Sequence, residues 1–455
     1  MRLVEVDTAG KHDCAGRVVL NRARLPLLAG LLDAGFSSLA TFAVGLYAVR
    51  VLDASSMGGY ALVFAAFTAA AVVPAQLFFV PVEISATTGE TSRRLGGLRH
   101  SVLSGTRIAL VAASAVMLCM VVAPNGMARD RMLILAMTGA ASAFVSPIQD
   151  HVRRMFHLAG RSELAAAVSL VHLSVVVIGI GLCTSRAVDP GWIPFGVLAA
   201  ANVLSLGLGL GAAERVTPVR GRSLGLISAA RSGRWLLLVG LLPTGTAFVA
   251  ATLVSRLASG ESLGYAEAAR VLGQPVLVLA LGLSASLSPR SMESARLRRV
   301  GDARRAAQTL VSIVTAVGLL YLAATVAWSG SPLPRLFPNA YVVRHLVLVT
   351  VLANIANAVV FPYRSELLGA GREAELGRVE LVGNAFRVLM AGSAALAGAY
   401  AIPAGFTALG LVRIVGYQRA LRAHYAGNQA AASHAVPLGP EPGPSAEPPG
   451  PEAAT

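Results

Sequence analysis

Twelve apolar runs of about 20 residues, separated by short polar segments, constrain this chain more than any other feature. A helix of about 20 apolar residues is as long as the hydrocarbon core of a bilayer is thick. Lipid offers no partner to backbone N–H and C=O groups, so each run must satisfy them internally, as a helix does. The composition agrees, with 55% of the 455 residues hydrophobic and only 13% charged. The expected fold is therefore all-α, a polytopic membrane protein of about 12 transmembrane helices.

The runs lie near 25–51, 57–85, 103–123, 132–148, 164–184 and 192–213, then near 235–257, 264–288, 307–329, 346–368, 376–400 and 402–417. This divides the chain into an N-terminal cytoplasmic segment (1–24), a first six-helix bundle (25–213), a basic cytoplasmic linker (214–234), a second six-helix bundle (235–425) and a tail (426–455). From Gly427 onward the tail has seven prolines, three glutamates and no aromatic residue. Such a composition predicts a disordered segment.

A net charge of +15 invites comparison with nucleic-acid binders, but the distribution argues against one. Lys11 is the one lysine. With the N-terminus placed inside and each span reversing the side, 26 of the 38 basic residues fall in inner segments, seven in outer loops and five within helices. That asymmetry is the orientation signal of a membrane protein with both termini cytoplasmic. Trp192, Trp235 and Trp328 fall at span ends, where amphipathic rings favour the headgroup layer. Cys14, Cys119 and Cys183 are widely spaced and suggest no metal site, and no motif calls for a cofactor.

The halves resemble each other. Arg50–Ala61 matches Arg256–Ala266 after the first span of each half, and Ala159–Arg161 matches Ala370–Arg372, at offsets of 205 (Tyr60 to Tyr265) and 211 residues. Each half has an even number of spans, so the repeats should be parallel, with a substrate path between them.

Several segments also resemble a known family. Leu31–Phe42 followed by Val49–Val63 is similar to the opening of the polysaccharide flippases, within the multidrug/oligosaccharidyl-lipid/polysaccharide (MOP) exporter superfamily that also holds the MATE exporters. The likeness continues in Met155–Arg161, in Gly264-Tyr265 with Ser288-Pro289, and in Pro334–Tyr341, so it touches most of the chain through short loop patterns. The resemblance implies a V-shaped pair of six-helix bundles that opens alternately to each side. It would carry a polyprenyl diphosphate-linked glycan outward across the cytoplasmic membrane, with membrane lipids and glycan-assembly enzymes as partners.

Ionisable groups inside spans are costly and mark candidate sites. Arg387, in the eleventh span, has the planar fork that grips a diphosphate, or else pairs with Asp33 or another carboxylate. Arg270 lies three residues after Glu267, near enough to pair on one helix face, with Arg256 ending the preceding span. If Arg270 instead faces the cavity, it and Arg387 would form a cationic surface similar to those of the flippases. Asp33 sits two turns into the first span; in ion-driven relatives such a carboxylate carries the coupling ion, and the competing reading is a carboxylate bonded to a neighbour near the interface. Arg107 and Arg413 are expected to snorkel from span ends. Glu83, His172 and the pair Asp150-His151 complete the candidates, as buried bonded groups or as relays. Pro74, Pro81, Pro275 and Pro289 predict kinks in corresponding spans of the two halves.

Three other functions compete with a flippase. A proton- or sodium-coupled MATE-like exporter of small cations would be expected to carry several cavity carboxylates, and a non-transporting membrane scaffold would leave no chemical mark. An enzyme at the outer face would need a large polar outer loop. The longest, Gly330–His345, has no carboxylate, and no phosphate-binding glycine loop is present.

Overall fold

The structure is a computed structural model that describes residues 9–87, 91–122, 128–186, 188–216, 224–297, 299–327 and 343–434. Among these residues every regular element is helical. In the first half, α1 runs Ala9–Val51 and α2 Ala54–Pro74, and a π-helical stretch, Ala75–Phe79, joins α2 to α3, Val80–Thr87. Then come α4 (Leu98–Val122), α5 (Arg129–Leu158), α6 (Ser162–Ser185) and α7 (Ile193–Val216). The second half holds α8 (Leu226–Leu257), α9 (Gly260–Arg296), α10 (Val300–Val326), α11 (Arg344–Ala358), α12 (Phe361–Gly369) and α13 (Glu373–Gly392). A four-residue α14 (Ala394–Ala397) and a long α15 (Ala401–His434) finish the chain.

Eleven of these helical segments are long and apolar enough to cross a membrane among the described residues. The remaining expected span, 376–400, is divided. Its helix α13 stops at Gly392, and Gly398 turns the chain with φ +55° before α15. The 20 residues of α13 reach about 30 Å, yet Arg378, Glu380 and Arg387 make it too charged to count as apolar.

Three boundaries differ from expectation. The linker is mostly helix, since α7 continues to Val216 and α8 starts at Leu226. The expected tail begins as helix, because α15 runs to His434, and the rest of it lies outside the described residues. Helix α5 extends ten residues past the expected edge of its span at Ile148, to Leu158. Trp328 and most of Gly330–His345, Pro334–Tyr341 included, also lie outside the described residues.

The contacts define two groups. α1 packs on α6, α2 on α4 and α5, and α7 on α5 and α6; in the other half α9 packs on α10, α11 and α12, while α15 packs on α11 and α13, and α13 on α8. The groups meet where α2 touches α8 and α9, and where α1 touches α9. At that seam backbone meets backbone, because a Cβ on Gly58 would lie 2.0 Å from the Gly260 carbonyl oxygen and one on Gly264 2.0 Å from that of Ala54.

The sequence repeat is also a structural one. Asp53 caps α2 by accepting the Ser56 amide hydrogen at 2.8 Å, and Ser259 caps α9 by accepting that of Ser262 at 3.0 Å. The Ser56 bond holds the Asp53 carboxyl below the ordinary carboxylate range. The two Ala-Gly-Arg turns are superimposable in pattern. Gly160 and Gly371 have φ of +69° and +70°, and the amides of Arg161 and Arg372 donate five residues back, to Phe156 and Leu367. Nothing lies within 4 Å of a Cβ added at either glycine, so the obstacle to substitution there is the backbone alone. Gly160→Ala and Gly371→Ala should therefore each cost about 1–2 kcal/mol, read as a lower thermal midpoint in detergent. Unchanged midpoints would show that the left-handed turn is not required.

Candidate functional site

The last turns of α5 carry two polar faces. Asp150, Arg153 and His157 follow the i, i+3, i+7 spacing of one helix face, while His151 and Arg154 lie on the next. The first face closes on Asp33 of α1, which is buried at 5% exposure. Arg153 grips Asp33 bidentately, with Nε 2.9 Å from Oδ1 and Nη2 2.8 Å from Oδ2. His157 Nε2 lies 2.9 Å from Oδ2, and the Ser169 hydroxyl donates to Oδ1 at 2.6 Å. Arg153 Nη1 also donates to Asp150 and to Ser37, at 2.9 and 3.0 Å. One carboxylate thus ties α1, α5 and α6 together.

The second face closes on Glu83 of α3. His151 Nδ1 lies 2.9 Å from Glu83 Oε1, its Nε2 lies 2.9 Å from the Ser101 hydroxyl, and Arg154 approaches the other Glu83 oxygen at 3.6 Å. The His151 ring stacks on Phe79, with centroids 4.6 Å apart. Beside this group is a cavity of about 260 Å³ between α5 and the π-helical stretch. His172 is buried on α6, and its Nδ1 has no hydrogen-bond partner among the described residues.

In the second bundle Glu380 of α13 receives Arg413 of α15, with Nη2 at 2.6 Å and Nε at 3.2 Å. Tyr417, one turn beyond Arg413, donates to Glu380 Oε1 at 2.6 Å. Arg413 also donates to Asn357 Oδ1 at 3.1 Å, and Asn384, one turn beyond Glu380, accepts from Thr246 at 2.7 Å. Arg413 is therefore locked inside the bundle, not snorkelling as its sequence position suggested, because a buried carboxylate on the facing helix outcompetes the interface. Arg107 is exposed.

Arg387, half-buried, differs from the other cations inside the bundles. Its Nη1 donates to the Pro243 carbonyl of α8 at 3.1 Å, its guanidinium lies 5.4 Å from the centre of the Phe406 ring, and no carboxylate is within ion-pair distance among the described residues. It lies five residues from the end of α13, not mid-helix, since that helix stops at Gly392. Asp33 is engaged in the other bundle and does not pair with it. Arg270 pairs bidentately with Glu267 at 2.7 and 2.6 Å. It also lies over the Phe64 ring at 4.7 Å, so that the ion pair sits on the seam between bundles. Arg256 is exposed at the end of α8.

The groups that sequence reasoning missed are Arg153, His157 and Glu380. The first two carried a readable signal, the helical spacing beyond the apolar edge of their span; Glu380 carried none, since its partner lies 33 residues away on another helix.

The described helices thus form two bundles, each tied internally by ion pairs, that meet along a glycine-lined seam. No protein-family model matches the sequence, and no curated protein does. Among solved structures, the chain is similar to an inward-facing conformation of a multidrug resistance MATE family transporter of the MOP superfamily, with 15% identity, a TM-score of 0.64, and 88% of this chain and 96% of that one covered. It is similar to a eukaryotic MATE transporter at 15% identity and a TM-score of 0.60, covering 89% and 96%. It is also similar to a MOP superfamily transporter from Pyrococcus furiosus at 13% identity and a TM-score of 0.58, covering 88% and 94%. Identity this low establishes the fold, which is the MATE-like one.

Proposed function

We propose that the chain is a membrane transporter working by alternating access between its two bundles, and that it carries an anionic substrate, a polyprenyl diphosphate-linked oligosaccharide, from the inner to the outer leaflet. The supporting observation is the charge inventory of the interior. Asp33, Glu83, Glu267 and Glu380 each face an arginine or histidine, and Glu366 takes the Tyr425 hydroxyl. Arg387 donates to a carbonyl and lies over the Phe406 ring, and no carboxylate pairs with it among the described residues. A substrate that needs a free carboxylate finds none of these five open, whereas a diphosphate finds a guanidinium with donors to spare. The excess of basic residues in the segments that would be inner supports cytoplasmic termini and a place in the cytoplasmic membrane, where glycan-assembly enzymes would supply the lipid.

A second reading is a proton- or sodium-coupled exporter of small cations. The multidrug resistance transporters of the same fold favour it, together with the Asp33–His157 contact as a candidate ion site.

The deciding experiment is translocation of a fluorescent polyprenyl diphosphate oligosaccharide in proteoliposomes. Wild type should move it, Arg387→Ala should lose about 10- to 100-fold as a charge-assisted contact disappears, and Arg387→Lys should recover part. A wild type that leaves this lipid in place but moves an organic cation against a proton or sodium gradient would overturn the proposal in favour of the exporter.

A further inference from the structure

The 260 Å³ cavity of the first bundle is walled by two irregular helices. On one side Pro74 is followed by the π-helical stretch, whose Gln76 and Phe79 both line the space; on the other, Pro147 interrupts the bonding of α5. π-helical segments inside α-helices are frequent at functional sites, because the extra residue turns side chains toward a ligand. Its counterpart in the second half has no such feature, since α9 continues as α-helix through Pro275. The cavity lies against the seam, because Gly240 of α8 packs on Gln76 and Val72, and both of those residues line it.

Its lining is mixed in charge and rich in hydrogen-bonding groups. Glu83 and Asp150 face it with His151 and Arg154, and each carboxylate already has a partner, Glu83 in the His151 ring and Arg154, Asp150 in Arg153. A held carboxylate still has lone pairs to accept from hydroxyls, and Arg154 has N–H groups to donate. The Gln76 amide and the Ser146 hydroxyl line the same space and have no hydrogen-bond partner among the described residues. Phe67 and Phe79 add aromatic surface on which C–H groups can rest. An organic cation would want the carboxylates unpaired, and a drug-sized molecule usually fills roughly 300 to 1,000 Å³. A neutral polyhydroxylated ring fits both the charge and the size.

We infer that this cavity is a sugar-binding subsite, which receives a neutral hexose or N-acetylhexosamine ring of the substrate through Gln76, Ser146, Glu83 and Arg154. Its place in transport rests on the proposed function above; its chemistry does not. The first bundle then holds glycan while Arg387 of the second holds the charged end.

The test is saturation-transfer NMR on the full chain in nanodiscs, with a panel of methyl glycosides of neutral hexoses and N-acetylhexosamines. At least one glycoside should show transfer with wild type, falling about tenfold in Gln76→Ala and in Ser146→Leu, while both variants keep the wild-type thermal midpoint. No transfer from any glycoside, or transfer unchanged in both variants, would overturn the subsite. Gln76-dependent competition by tetraethylammonium would overturn it too, in favour of an organic-cation site. Transport separates this from the proposed function. Glycoside binding without movement of the lipid-linked oligosaccharide would sink the flippase and leave the sugar site, and movement without glycoside binding would do the reverse.

Discussion

Arg153→Ala is expected to destabilise the folded chain by about 3–5 kcal/mol, the cost of removing one partner of a buried ion pair. The size follows from what Asp33 would have left. It now accepts four hydrogen bonds, two of them from Arg153, and neither side chain of the pair is more than 11% exposed. Without the guanidinium, a carboxylate inside the bundle would be held by one imidazole and one hydroxyl, and three helices would lose their common tie. Asp33→Asn should cost less, because Arg153 keeps Asp150 and Ser37. The double variant Asp33→Asn with Arg153→Leu should recover much of the loss, since the one carboxylate it leaves without its arginine, Asp150, is 46% exposed and not buried. Equilibrium unfolding in mixed micelles measures all three. A loss below about 1 kcal/mol for Arg153→Ala would mean that water reaches Asp33 and the pair is screened as at a surface.

How much of this was legible in the sequence depends on whether a feature is local. Helix length is local, and the apolar ruler found the spans. The turns at Gly160 and Gly371 and the caps at Asp53 and Ser259 are local too, and they showed as repeated motifs before any packing was known. The Glu267–Arg270 pair obeys helical spacing, so its pairing was readable as one of two alternatives. The Arg153 and His157 face obeys the same spacing, but it lies beyond the apolar edge of its span, where charged residues read as loop. The Glu380–Arg413 pair is not local at all: it exists because α13 packs on α15, and each partner alone looks like a charge near a span end. Glu380, with Arg378 and Arg387, also kept α13 out of an apolar count. The π-helical stretch has only Pro74 as a sign, and proline predicts a break without saying that the helix will widen.

Gly264→Leu is expected to abolish transport while leaving a folded protein. The α2–α9 seam closes at the end of the molecule that carries the capped starts of both helices. There the atoms facing Gly58 and Gly264 are the backbone carbonyl oxygens of Gly260 and Ala54, each 2.0 Å from where a Cβ would sit. A flexible side chain could move aside; a helix backbone cannot without shifting the helix. Asp53 and Ser259 fix the two helix ends by their caps, so the strain has no local outlet. Within α9 itself a non-glycine residue is favoured by up to about 1 kcal/mol, so the penalty falls on the closed seam and not on the helix. In the alternating cycle proposed for this chain, such a contact must form and break once per turnover. A clash of a few kcal/mol then shifts the population between its two states by a factor of about 100, trapping the molecule with this end open. Nitroxides at Ser55 and Glu261, on the two sides of the seam, would report the change by pulsed electron spin resonance. A longer, broader distance in Gly264→Leu, with transport at background, is the expected pair of results. A distance distribution identical to that of the wild type, with transport intact, would show that the two helices do not need to approach this closely, and that the seam is packing without a part in the cycle.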